Sequence, residues 1–228
     1  MPLDNFPITN FSRPLQQMYE AIITDEKVNV HLRAVKDYHM ESYDHLVRVG
    51  KLSMYLGMKN HLVDEQLRLL GMSGALHDVG KQGISHCVLC KPGPLEPTER
   101  EEMKNHVRLG FMILEDIGEE VRRIIVCHHE FQGEAYPRNG EERRRDDRRE
   151  RYIVVPKEAR GVSRRGSIER RQTDAMILNL GQMVAAADVY DALSSKRGYK
   201  EPLTLEVVRD IMNKDYLGSK RYVQQLFE

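Results

Sequence analysis

Several things are scarce in this sequence. It has no tryptophan, and aromatic residues make up only 7% of its 228 positions, which argues against a stacking platform for single-stranded nucleic acid. It has no net charge, because 35 Lys and Arg balance 35 Asp and Glu. A bulk electrostatic attraction to a nucleic acid polymer or a membrane surface is therefore excluded. No apolar run approaches the ~20 residues that span a bilayer. Met1 to Asn10 has neither the basic nor the apolar region of a signal peptide. Cysteine is limited to Cys87, Cys90 and Cys127, a small odd set that fits a reducing, cytoplasmic setting rather than a disulfide scaffold. Alternating strand patterns are nearly missing, Tyr152 to Val155 being the exception.

What is present is helix. Apolar spacing predicts helices over Pro14 to Lys27, Glu41 to Met58, Val63 to Asp78, Thr98 to Ile117, Glu119 to Phe131, Thr173 to Ser195, Leu205 to Asn213 and Tyr222 to Phe227. Glycines and prolines between Val79 and Pro97 mark a loop, and Thr98 with Glu101 is expected to form a capping box. The length suits one domain with additions, able to bury a core without disulfides or a structural metal. Residues 138–172 stand apart. Their last 32 positions, from 141, carry twelve Lys or Arg against seven Asp or Glu. Such a charged, core-poor stretch is expected to be a solvated insertion between two helices.

Chemistry enters with the histidines, of which there are nine. His77 and Asp78 are adjacent at a predicted helix end, and a mixed nitrogen and oxygen donor set suits first-row metals. His45 lies on an earlier helix, and His106 and the pair His128 and His129 on later ones. Asp188 interrupts the small apolar run Met183 to Ala187, where an unpaired carboxylate would be very costly. Glu41 precedes His45 by four residues, so both share a helix face. Together these residues can supply two or three metal ions and leave positions open for water and substrate. That arrangement suits metal-assisted hydrolysis of a phosphate ester. Cys87 and Cys90 form a single CxxC with no second pair, read here as incidental thiols.

The ordered segments His77-Asp78-Val79-Gly80-Lys81, Lys91-Pro92-Gly93, His106, His128-His129-Glu130, Tyr136-Pro137 and Ala187-Asp188-Val189-Tyr190-Asp191-Ala192-Leu193 resemble the HD superfamily of metal-dependent phosphohydrolases. The resemblance is closest to its HD-GYP branch, the bacterial cyclic di-GMP phosphodiesterases of intracellular signalling. It implies an all-α HD-domain bundle around a multinuclear metal site, spanning residues 38–228 behind an N-terminal helical extension, 1–37. It implies that His45, His77, Asp78, His106, His128, His129 and Asp188 are metal ligands, with Asp78 catalytic and bridging two ions. Glu41 matches the extra carboxylate of members with a third ion. Lys81, Arg197 and Lys200 would hold substrate phosphates, Lys81 also serving catalysis. The ions would be divalent, Fe or Mn, and the reaction an in-line attack of a metal-activated hydroxide that yields pGpG and then GMP.

Two other readings share these residues: an HD phosphohydrolase for another nucleotide, and an inactive dinucleotide-binding signalling protein. The sequence departs from the branch at Ala135, where a glycine is usual, at the insertion that follows Pro137, and at Gly198, where proline is frequent. The short stretch ahead of the domain leaves regulation to a separate protein partner, to oligomerisation or to the insertion.

Overall fold

The computed structural model describes residues 11–131, 167–196 and 201–228. The expected helix from Pro14 to Lys27 ends at Thr24 as α1 (Arg13–Thr24), and a helix that the apolar spacing did not predict, α2 (Glu26–Tyr38), follows it. Asp25 makes the break. Its own N–H bonds back to Ala21 and Ile22, while its carboxylate accepts from the amides of Lys27 and Val28. One short side chain therefore ends one helix and caps the next. After α3 (Met40–Lys59), α4 (Asp64–Leu76) stops one residue before His77, which is its C-cap.

The expected loop after Asp78 is partly ordered. It holds a 3₁₀ turn, Val79–Gly83, and a short helix, α5 (His86–Leu89). Gly80 shows why this turn is tight: a Cβ there would lie 1.9 Å from the His106 carbonyl oxygen and 2.5 Å from the Gly110 nitrogen. The turn lies flat on the backbone of α6 (Pro97–Ile113). That helix starts one residue earlier than expected. Pro97 occupies its first turn, where a missing N–H costs nothing, and the capping carboxylate is that of Glu99, which accepts from the Glu96 amide at 2.7 Å. Thr98 is inside the helix.

Gly118, at φ +120°, turns the chain into α7 (Glu119–Val126). A second 3₁₀ turn, His128–Phe131, then replaces the expected last turn of helix. α8 (Ser167–Ser194) begins earlier than predicted, so the end of the expected insertion is helical. α9 (Leu205–Asp215) and α10 (Lys220–Gln225) close the chain. Ala135, Tyr152 to Val155 and the rest of the insertion lie outside the described residues. Among the described residues there is no extended strand, and no helix is long and apolar enough to cross a membrane.

Two apolar clusters hold the helices. One joins α8, α9 and α10 through Leu180, Met183, Tyr190, Val208, Met212 and Val223. The other joins α1 and α2 through Tyr19, Ile22, Val28 and Leu32. α3, α4 and α7 contribute to both and form the middle layer: Leu52, Leu70 and Ile124 face one cluster, and Leu46, Leu76 and Ile125 the other. Met183 to Ala187 is buried without interruption, as expected of a helix enclosed on all sides. The polar residues that share this interior are concentrated where α3, α4, α6, α8 and the two 3₁₀ turns meet.

Candidate metal centre

His77 closes α4, and its Nδ1 sits 2.8 Å from the Gly74 carbonyl oxygen three residues back. His106 does the same on α6 with Met103, at 2.6 Å, and His128 with Ile125 at the end of α7. A carbonyl oxygen can only accept, so each Nδ1 donates, and a neutral ring then presents Nε2 as a lone pair. The Nε2 atoms of His77 and His128 are buried and make no hydrogen bond. His45, from the second turn of α3, is fixed instead by a side chain: its Nδ1 lies 2.7 Å from Asp191 Oδ2.

The nitrogens converge on two aspartates. Asp78 Oδ1 is 3.1 Å from His106 Nε2 and 3.8 Å from His128 Nε2. Its other oxygen, Oδ2, is 3.3 Å from His77 Nε2 and 3.7 Å from His45 Nε2. Asp188 Oδ1 lies 3.2 Å from His45 Nε2 and 3.7 Å from His77 Nε2. His129 joins from the second 3₁₀ turn, its Nε2 3.1 Å from that of His106. Two sets of donors that could hold a metal ion result, His45, His77 and Asp188 in one and Asp78, His106, His128 and His129 in the other. Within each, one donor atom per residue lies within 4.8 Å of all the rest.

Electrostatics suits cations. Burial opposes the charge on Asp78, but Lys81, His77 and His106 hold its carboxyl well below the usual range. Asp188 is likewise kept ionised against burial by His45 and His77. Burial pushes the His77 ring down, yet the two carboxylates outweigh it and raise it to about 10. His128 stays neutral through burial and the neighbouring His129 and His77. A pocket that stabilises two carboxylates and draws a proton onto an imidazole favours positive charge. With buried Nε2 lone pairs and carboxylate oxygens aimed inward, the residues fit divalent first-row ions.

The HD domain family model matches residues 42–193, about two thirds of the chain. The chain belongs to the HD domain family. The expected likeness to the HD-GYP branch is borne out by its relatives. Over 204 residues it is 31% identical to a cyclic di-GMP phosphodiesterase of Thermotoga maritima, covering 86% of the chain and 46% of that relative. It is 30% identical over 210 residues to the cyclic di-GMP phosphodiesterase response regulator RpfG of Xanthomonas campestris, covering 82% and 46%. It is 29% identical over 212 residues to the 3'3'-cGAMP-specific phosphodiesterase 2 of Vibrio cholerae, covering 85% and 34%. The chain thus spans less than half the length of these curated relatives.

Within this HD domain, the structure brings His45, His77, Asp78, His106, His128, His129 and Asp188 together. Glu41 is not among them. It is exposed in the first turn of α3 and belongs to neither ligand set. Sharing a face with His45 places it a full turn farther along the helix, toward solvent. Lys81 is close: its ammonium pairs with Asp78 Oδ2 from the first 3₁₀ turn. Arg197 and Lys200 lie outside the described residues. Cys87 and Cys90 are exposed, Cys127 is buried, and none belongs to a ligand set.

Sequence reasoning gave no role to Arg48 or Asp191 of this HD domain. The signal available was spacing. Arg48 follows His45, and Asp191 follows Asp188, by three residues, which puts each beside a ligand on its own helix.

Proposed function

We propose that this chain is a metal-dependent phosphodiesterase that hydrolyses cyclic di-GMP to linear pGpG, and pGpG onward to GMP. The observation that carries the reading is the position of Asp78, whose two oxygens face the two buried histidine sets from opposite sides. His45, His77 and Asp188 would hold one ion and His106, His128 and His129 a second, with Asp78 available to both. This makes a two-ion centre, Fe or Mn, without Glu41. When bound, such ions act as Lewis acids on a phosphoryl oxygen and lower the pKa of water.

The chain's own residues do the rest. The Nδ1 contacts of His45, His77, His106 and His128 lock those rings so that the Nε2 lone pair stays directed at the centre. Lys81, half-buried beside Asp78, contacts a phosphate oxygen and offsets the charge that develops on it. Arg197 and Lys200 are proposed to hold the second phosphate of the substrate.

The names of the relatives favour a cyclic dinucleotide, and the Vibrio cholerae relative is named as specific for 3'3'-cGAMP. Cyclic GMP-AMP is accordingly the second substrate to test. The experiment is product analysis with both dinucleotides, on protein purified without oxygen and loaded with Fe(II) or Mn(II). Formation of pGpG or GMP, abolished in Asp78→Ala, is the expected result. A fully metal-loaded protein that turns over neither dinucleotide would refute the proposal.

A further inference from the structure

We infer that Asp191, clamped by Arg48, is the positioning residue for His45, and that it sustains the affinity of one ion of the pair and not the other. The inference rests on the two-ion reading above. Asp191 is completely buried on α8 and surrounded by donors. His45 Nδ1 reaches Oδ2 at 2.7 Å, Arg48 Nε reaches Oδ1 at 2.6 Å, Arg48 Nη2 reaches Oδ2 at 3.0 Å, and Ser195 Oγ reaches Oδ1 at 2.9 Å. A buried carboxylate is tolerated only with such pairing, and the two-pronged contact with Arg48 fixes its plane.

The arrangement is a brace between two helices. α3 supplies His45 and, one turn on, Arg48; α8 supplies Asp188 and, one turn on, Asp191. His45 spans both aspartates, with Nδ1 on Asp191 and Nε2 3.2 Å from Asp188 Oδ1. His77, His106 and His128 instead lean on carbonyls of their own chain segments, three residues back. Those contacts are local and come with the helix. The His45 contact crosses 146 positions of sequence and is anionic. A carboxylate on Nδ1 fixes the tautomer and makes Nε2 a stronger donor to a cation than a carbonyl does. Asp191 contacts no member of the other set, so its loss should act on the ion assigned to His45, His77 and Asp188.

The test is Mn(II) binding to the metal-free full chain, followed by calorimetry and by the electron paramagnetic resonance of the loaded protein, with circular dichroism as a fold control. Wild type is expected to bind two ions and give the signal of a coupled pair. Asp191→Ala is expected to keep one ion at wild-type affinity, to bind the other about 10–100-fold more weakly, and to give the signal of isolated Mn(II). Asp191→Asn keeps an acceptor for His45 Nδ1 and should recover part of the loss. Arg48→Ala, a partly exposed position, should weaken the same ion, and it carries the test together with Asp191→Asn if the alanine variant at 191 does not fold. Two ions bound at wild-type affinity in the variants would overturn the inference, and so would equal weakening of both ions in a folded protein. A wild type that binds no Mn(II) would instead overturn the two-ion reading, and this inference with it.

Discussion

Replacing Gly80 by alanine tests how the fold assembles the centre. The added Cβ would stand 1.9 Å from the His106 carbonyl oxygen and 2.5 Å from the Gly110 nitrogen. An ordinary contact for such an atom begins at 3.4 Å, and the obstacles are backbone atoms of α6, which cannot rotate away. The first 3₁₀ turn and α6 must therefore separate by more than about 1 Å, a displacement of the size that overpacking forces at a cost of about 1–3 kcal/mol. For a domain of this size that is roughly 2–12 °C of melting temperature. Asp78 precedes the turn and His106 is on α6, so the 3.1 Å approach of Asp78 Oδ1 to His106 Nε2 would be lost. Thermal denaturation and Mn(II) titration read both effects: a lower melting point, and selective weakening of the ion assigned to His106, His128 and His129. Gly83→Ala is the control. Its Cβ meets only the side chain of Leu109, at 2.8 Å, which can move, so little change is expected. If Gly80→Ala melted and bound metal as wild type does, the close packing of turn on helix would not be what joins Asp78 to His106.

Three further substitutions separate the roles assigned here. Glu41→Ala should leave two ions per chain by elemental analysis, and a fall of one ion would place Glu41 in the centre after all. Lys81→Ala should lower kcat for the cyclic dinucleotide by about 10²-fold with metal content unchanged; full turnover would remove Lys81 from the phosphate site. Gly118→Ala places a side chain at φ +120° and ψ 150°, a region reserved for glycine, and should cost about 1–3 kcal/mol. Its melting point should drop while Mn(II) affinity holds, and an unchanged melting point would contradict the strained turn.

Much of this was legible from residue order. Apart from α2 and α5, the helices follow from apolar spacing, and most boundaries moved by only a few residues. The larger differences have local causes. α2 was not predicted, and it starts at Glu26 because the Asp25 carboxylate satisfies its first amides. Pro97 starts α6 early because proline suits a first turn, while the loop after Asp78 orders partly because Gly80 lets it lie on α6. The side chains that converge stood out by type and order, since histidine and aspartate at a helix end or within an apolar run are conspicuous along one chain. Glu41 stands apart from the converging donors, because a shared helix face does not say how far along the axis they extend.

Residue types, helical periodicity and the sequence of ligands are local properties, set by neighbours within a turn or two, and they can be read along the chain. The partition of the ligands into two sets cannot. Nor can the facing of Asp78 toward both, or the pairing of His45 with Asp191. Each depends on where helices separated by scores of residues cross, and that is settled by the packing of α3, α4 and α7 between two apolar clusters.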